Sequence, residues 1–452
     1  MKKILNKLLK LSPTQKIAIS FLLIIAIGTF LLYLPITHCD NTELNLIDTL
    51  FIATSATCVT GLTPVSIIET FNLWGQIVLL VLMQIGGIGI IAIVISFLYS
   101  IKKKLSIKNN KMIKNQFGYI NLNDKRSNIQ EMLKYIFTVE FIGTILLSFY
   151  FVPEYGLLMG LFNSLFISVS AFCNAGFDIL TNSSLMPYTN EYYPLIIIMM
   201  LIILGGLGFV VWFDVCDNIK KNKCTKKCFK KFSLHTRVVI LTTVFLIVFP
   251  ALFILALEYS GRMFDNLNLS SKILNSLFTS VSLRTAGFTT CDLSLAKSSS
   301  LFLMIICMFI GGSPGGTAGG IKTTTIVIIL MYIFSTIKGE EYTNIHKRRI
   351  SENLIKQAIT IFAINIFVLL IGVFLLTITE NLSFIEILFE ATSAIATVGL
   401  SMNTTSKLTV LGKMVVSFMM YLGRIGILTF VLSFTKNENK QHVKYATGNL
   451  LI

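Results

Sequence analysis

Phe51-Ile-Ala-Thr-Ser-Ala-Thr-Cys-Val-Thr-Gly61 decides the fold, because the chain writes this stretch four times. Its counterparts are Phe166-Ile-Ser-Val-Ser-Ala-Phe-Cys-Asn-Ala-Gly176, Phe278-Thr-Ser-Val-Ser-Leu-Arg-Thr-Ala-Gly287 and Phe389-Glu-Ala-Thr-Ser-Ala-Ile-Ala-Thr-Val-Gly399. The closing glycines lie 115, 111 and 112 residues apart. A second marker follows each copy: Gly86-Gly87 lies 25 residues after Gly61, Gly205-Gly206 29 after Gly176, Gly311-Gly312 24 after Gly287, and Gly423 24 after Gly399. Glycines scattered by chance through apolar helices would not keep step with the first marker, so the pair points to fourfold internal duplication.

Around these markers the chain is strongly apolar. Of its 452 residues 54% are hydrophobic and 13% charged, about half the charged share of a soluble domain, with a mean hydropathy of +0.77. Runs such as Ile17–Leu34, Leu195–Phe213, Val238–Leu257, Ala358–Leu376 and Met414–Phe434 meet or approach the roughly 20 residues a membrane span needs. They recur from end to end and leave no room for a soluble domain of ordinary size. The first run ends in Leu-Pro without a small-residue cleavage site, unlike a signal peptide.

The formal charge of +16 is explained by its distribution. Basic clusters at Lys102–Lys114, at Lys220–Arg237 and at Lys347-Arg348-Arg349 follow apolar regions, whereas the connections Thr37–Asp48 and Asp178–Pro194 carry acids and no Lys or Arg. This is the positive-inside asymmetry. It places the clusters and both termini in the cytoplasm of a multi-pass cell-membrane protein and leaves no charge that calls for nucleic acid. Cys224 and Cys228 have a spacing compatible with a weak zinc signal but no second ligand pair; free thiols in a reducing compartment are the plainer reading.

Each repeat reads as spanning helix, short helix with loop, spanning helix. First helices are expected near 15–35, 131–152, 237–258 and 357–378, short segments near 46–61, 160–176, 272–287 and 384–399, and second helices near 72–98, 193–215, 299–335 and 409–434. The short helices cannot cross a bilayer at 1.5 Å per residue, so they dip in and return. The expected fold is an all-α integral membrane protein of four helix–pore-loop–helix repeats around a pseudo-fourfold central pore. Its segments are a cytoplasmic N-terminus (1–16), repeat 1 (17–105), repeat 2 (125–220), repeat 3 with a broken second helix (230–337), repeat 4 (350–435) and a cytoplasmic tail (436–452).

Irregular backbone at membrane depth is tolerated only where it is buried or lines a water-filled cavity. Four glycine-ended loops supply such a lining. Carbonyl rings replace the hydration shell of a permeating cation, and the short helices aim their negative dipole ends at it. The expected filter is Val59-Thr60-Gly61, Asn174-Ala175-Gly176, Thr285-Ala286-Gly287 and Thr397-Val398-Gly399. Asp178 and Asp292, on the outer side, either concentrate cations or serve as solvated loop acids.

The third repeat differs. Gly311-Gly312-Ser313-Pro314-Gly315-Gly316-Thr317-Ala318-Gly319-Gly320 cannot hold a helix, and it lies deep in the membrane below the third filter loop. It is either a flexible gate or a static kink. It is not a phosphate-binding loop, because Ile321 intervenes before Lys322. Arg424 stands mid-way along an apolar run, where a charge faces a cavity or a partner; the pore and an acid such as Glu140 are the alternatives.

These residues resemble a known family. The four filter loops, the Gly-rich stretch running into Ile321-Lys322-Thr323, and Leu422-Gly-Arg-Ile-Gly426 are similar to the Trk/Ktr/HKT superfamily of potassium transporters, over nearly the whole chain. Leu11-Ser-Pro-Thr-Gln15 and the end at Tyr445–Ile452 resemble the Ktr branch, closest to the KtrB-type membrane subunits. The resemblance implies K+ at the filter carbonyls as the transported ion, with uptake driven by its electrochemical gradient. Sodium is a possible activator, and no organic cofactor is expected. It further implies a homodimer with one pore per subunit, in membrane lipid, on a cytoplasmic KtrA-type RCK ring that binds nucleotide. A glycine in all four loops goes with potassium preference. The chain departs from the family before Arg348-Arg349, where an aromatic–Gly pair is usual and Ile345-His346-Lys347 stands instead. Two rivals remain: a cation-coupled secondary transporter (Na+/K+ or H+/K+ symport), in which broken helices are common, and a membrane enzyme. Four repeats with only one broken helix disfavour the first; the lack of a ligand cluster or nucleophile motif disfavours the second, so no enzyme is expected.

Overall fold

The computed structural model describes residues 12–39, 44–89, 125–222 and 231–434. The basic cluster at 102–114, Cys224 and Cys228, Leu11, and the end at 445–452 lie outside the described residues, as does the second helix of repeat 1 beyond residue 89.

Each repeat opens with one long apolar helix: α1 (Pro13–Leu32), α4 (Lys125–Tyr155), α8 (Leu234–Glu258) and α12 (Glu352–Thr379). Each has the length and hydropathy of a membrane span. Their outward residues, among them Leu22, Phe30, Phe141, Phe149, Phe245, Leu252, Phe367 and Phe374, are exposed, as a lipid-facing surface requires. Local signals start these helices. Ser12 accepts from the Gln15 amide while its own N–H donates to Gln15 Oε1 at 3.0 Å, a capping box, and Pro13 takes the first helical position. The same Gln15 reaches Ser433 O at 2.8 Å, so the opening motif also ties the first helix to the last one.

The short helices are α2 (Leu46–Cys58), α5 (Leu157–Cys173), α9 (Leu269–Ser282) and α13 (Phe384–Ala396). At 13 to 17 residues they span roughly 20–25 Å, short of a hydrocarbon core of about 30 Å. Phe51, Phe166, Phe278 and Phe389, which open the four repeated stretches, are each 0% exposed and anchor these helices in the interior. The third stretch is one residue shorter between Phe and Gly than the other three.

The second helices begin with α3 (Leu73–Ile88), α6 (Tyr192–Gly206), α10 (Ser298–Phe309) and α14 (Val410–Ile425). Each packs on the short helix of the next repeat: α3 on α5, α6 on α9, α10 on α13, and α14 back on α2. This closes a pseudo-fourfold ring. The second glycine marker serves a different contact, that of each second helix with the short helix of its own repeat. A Cβ on Gly86 would overlap the Thr57 carbonyl, one on Gly205 the Phe172 carbonyl, and one on Gly423 the Ile395 carbonyl. These are backbone-to-backbone approaches that only small residues allow.

The expectation of a single broken second helix needs correction. In repeat 2, α6 and α7 (Phe209–Asn222) meet at 97°, and in repeat 4, α14 and α15 (Ile427–Phe434) are separated at Gly426. The physical reason is tertiary. Gly208 (φ +89°) turns the chain aside where the Gly-rich loop of repeat 3 enters, and that loop takes over the freed groups. In repeat 3 itself α10 and α11 (Thr323–Ile337) flank the loop. A hairpin of β1 (Asn344–Ile345) and β2 (Arg348–Arg349) adds the only described strands to an otherwise helical fold. His346 and Lys347 hold positive φ in its turn (47° and 64°).

Candidate ion pathway

At the end of three short helices the chain turns through a left-handed residue: Val59 (φ 58°), Asn174 (59°) and Thr397 (51°). The following amide bonds back to the helix, Thr60 N to Ser55 O at 2.9 Å, Ala175 N to Ser170 O at 2.7 Å and Val398 N to Ser393 O at 2.8 Å. This helix ending favours residues tolerant of positive φ. In the shorter third copy the left-handed residue is Thr285 (φ 64°), and Ser282 Oγ instead donates to Phe288 O at 2.6 Å. In the first and fourth loops the repeated serine accepts from the closing glycine: Gly61 N to Ser55 Oγ at 3.0 Å and Gly399 N to Ser393 Oγ at 3.1 Å.

The twelve expected filter residues come together. A Cβ on Gly61 would sit 2.6 Å from Ala175 O, one on Gly176 2.7 Å from Ala286 O, and one on Gly287 2.8 Å from Val398 O; one on Gly399 would overlap Thr60 O. The four loops thus close in cyclic order on one point. All four glycines have positive φ, from 70° to 100°, a region that L side chains adopt only under strain. Thr60 and Thr397 hydroxyls are buried there without hydrogen-bond partners.

Above the four glycines opens a vestibule of about 510 Å³, lined also by Asp178 and Asp292. The two acids differ. Asp292 caps a turn, accepting from Ser294 N at 2.9 Å and from Asn403 Nδ2 of the fourth repeat at 3.2 Å. Asp178 has a buried Oδ1 without a partner, and burial pushes its pKa up to about 6 against the hydrogen bonds it receives from Ser184, Thr181 and Leu180.

Below the filter the Gly-rich loop is held by many partners. Gly319 N donates to Thr285 Oγ1 at 3.3 Å, Thr317 Oγ1 to Phe172 O at 3.0 Å, Ser313 N to Gly206 O at 3.2 Å and Thr317 N to Gly205 O at 3.2 Å. Phe209 N returns a bond to Gly315 O at 3.1 Å. Arg424 does not meet Glu140. Its Nη1 donates to Thr317 O, and its Nη2 to Gly86 O, so it clamps the loop to the second helix of repeat 1. Lys322, for which the sequence carries no role signal, donates to Ala318 O at 2.7 Å. Both cations line a cavity of about 210 Å³ beneath the loop, together with Gly86, Gly87, Gly316 and Gly320. Arg284, in the third repeated stretch, is 4% exposed behind that loop and reaches Thr243 Oγ1 at 3.3 Å.

Comparison with known proteins shows the family and the fold. A family model described as "TrkH: Cation transport protein" matches residues 9–445. The chain is 37% identical over 445 residues to the Ktr system potassium uptake protein B of Bacillus subtilis, covering 98% of this chain and 97% of that protein. It is 37% identical over 452 residues to the potassium/sodium uptake protein NtpJ of Enterococcus hirae, with coverage of 98% and 97%. The crystal structure of the potassium transporter TrkH from Vibrio parahaemolyticus superposes with a TM-score of 0.70 at 19% identity, covering 92% of this chain and 84% of that one, a likeness of fold.

Proposed function

The chain belongs to the TrkH family of cation transport proteins, and from that premise we propose that it is the ion-translocating membrane subunit of a potassium uptake system, working as a gated pore. One observation carries the reading: four glycine-ended loops, one per repeat, close on a single point at the floor of an outer vestibule. K+ sheds water there onto the carbonyls of Val59-Thr60-Gly61, Asn174-Ala175-Gly176, Thr285-Ala286-Gly287 and Thr397-Val398-Gly399, while the short helices present their negative ends. Gly311–Gly320 forms the gate. In the closed state Arg424 and Lys322 hold its carbonyls and add positive charge to the path. A cytoplasmic nucleotide-binding ring of the KtrA RCK type opens it by pulling on α11, docking around 217–237 and 338–356. The subunit works as a homodimer with its termini in the cytoplasm, and Na+ acts as an activator, in line with the potassium/sodium naming of one relative.

The test is initial K+ influx into reconstituted vesicles, alongside a variant lacking Ser313–Thr317 so that a closed gate is not mistaken for a missing pore. Influx of K+ well above Na+ in that variant is the expected result. Well-folded protein that passes no K+ in either form would overturn the reading. A second reading, cation-coupled symport, gains support from the helix breaks in repeats 2 and 4, since discontinuous helices in several repeats are a transporter habit. Single-channel currents would exclude it; slow, saturating turnover coupled to Na+ or H+ would favour it.

A further inference from the structure

Glu140 lies within the long first helix of repeat 2 and is 4% exposed. An acid at membrane depth is costly and ordinarily has a partner. Among the described residues no Lys, Arg or His nitrogen comes within ion-pair distance of it, and Arg424, the cation nearest in expectation, is spent on carbonyls.

What surrounds the carboxylate is a set of donors. Gln84 Nε2, on α3 of repeat 1, is 3.0 Å from both carboxylate oxygens. The Cys173 thiol donates to Oε1 at 3.8 Å. Cys173 ends α5, and the next residue is Asn174, the left-handed residue that turns the chain into the second filter loop. Two glycines clear the space. A Cβ on Gly87 would sit 2.5 Å from Cys173 Sγ, and one on Gly143 2.5 Å from Ser168 Oγ, the hydroxyl that donates to Glu140 O at 2.7 Å. The residue before Cys173 is Phe172, whose carbonyl receives the gate-loop Thr317 hydroxyl. Glu140 therefore sits behind the point at which the second filter loop and the gate loop are both fastened.

The donors favour an ionised carboxylate, but burial opposes it and neutral donors do not balance its charge, so the charge persists only beside a cation. The second loop begins one residue beyond Cys173, so a cation held by that loop is the charge able to supply the balance. We propose that Glu140 is a specificity-determining positioning residue: its carboxylate, held by Gln84 and Cys173, is the fixed negative charge behind the second filter loop that the permeating monovalent cation neutralises. This rests on the pore reading above.

The experiment compares charged and neutral side chains of equal shape. Parent, Glu140→Gln, Glu140→Asp and Glu140→Asn are purified as the full chain. KCl and NaCl are titrated at constant ionic strength with thermal unfolding as the readout, and K+ influx is measured in vesicles. Glu140→Gln should raise the K+ midpoint and the influx KM roughly tenfold, the order of one unit charge acting through a medium of effective dielectric constant near 20. It should also narrow the K+ over Na+ ratio while leaving maximal influx within about twofold. The shorter pair makes the same comparison if Glu140→Gln does not fold, with Glu140→Asp near the parent and Glu140→Asn displaced. A merely structural role would lower the yield of folded protein and maximal influx and leave the midpoints alone. Neutral and charged members with equal midpoints, beside a parent that binds and passes K+, overturn this inference only. A parent with neither K+-dependent stabilisation nor influx overturns the pore reading and this inference together.

Discussion

At Gly61 the backbone stands at φ +100°, and a Cβ would lie 2.6 Å from the Ala175 carbonyl oxygen. A side chain there strains its own loop and pushes on a carbonyl oxygen of the neighbouring loop. Gly61→Ser should therefore weaken discrimination of K+ over Na+ more than it lowers the amount of folded protein, as read by competitive uptake in potassium-starved cells. If all four single Gly→Ser variants keep the parent's discrimination, the filter assignment fails. Asp178 offers a second test. Burial opposes its charged form and pushes its pKa up to about 6, so it is ionised above that pH and neutral below it. At limiting K+, uptake should fall roughly severalfold as external pH drops from about 7.5 to about 5, as the vestibule loses a focusing charge. Asp178→Asn should flatten this dependence and sit near the acid limit throughout. An unchanged pH profile in Asp178→Asn would remove Asp178 from the path. The glycines were legible in the sequence because positive φ is a demand one residue type meets. Asp178 and Asp292 looked alike there, since nothing in a sequence says which carboxylate oxygen ends buried without a donor.

The Gly-rich loop and the second helices are tested at the level of elements. Arg424 and Thr317 hold the Gly311–Gly320 loop between repeats 1, 2 and 4. Removing Ser313–Thr317, or making Arg424→Ala, should each raise basal K+ influx without a regulatory partner, and the double variant should add little because both release the same closure. Folded variants with influx at or below the parent would mark the loop as a static kink. The helix-to-helix contacts behind the filter make a separate prediction. Gly423 leaves no room for a Cβ against Ile395 O, so Gly423→Ala should force α14 off α13 and destabilise the protein by about 1–3 kcal/mol. A thermal midpoint equal to the parent's would argue against close packing there. The glycine pairs were visible as a repeat, but their purpose was not, because the carbonyl each one faces belongs to another element. The breaks in repeats 2 and 4 were missed for a related reason. Gly205-Gly206 and Gly426 sit in runs apolar enough to continue as helix, and what interrupts the first of them is a loop arriving from more than a hundred residues away.

On the scale of the whole molecule, each second helix packs on the short helix of the following repeat, and the fourth closes on the first. Gln15 to Ser433 and Tyr421 to Ala18 O seal that last joint. The hairpin, with Arg349 stacked over Tyr342 at 3.6 Å, lies in the region where a partner ring is proposed to bind. Crosslinks from such a ring should map to 217–237 and 338–356, and altering both segments should abolish the complex. Crosslinks confined to the outer loops would refute that docking. The number of repeats, the long apolar helices and the glycines that end the four loops were legible along the chain. Each follows from a local requirement: an apolar run long enough for the bilayer, or a residue able to take positive φ. That the four loops close in cyclic order, that Arg424 spends its donors on Thr317 and Gly86 carbonyls and not on Glu140, and that Glu140 stands behind Cys173 were settled by packing between distant segments. At membrane depth a donor or a charge is satisfied by whichever group the packing brings beside it, and those groups lie up to hundreds of residues apart in the chain.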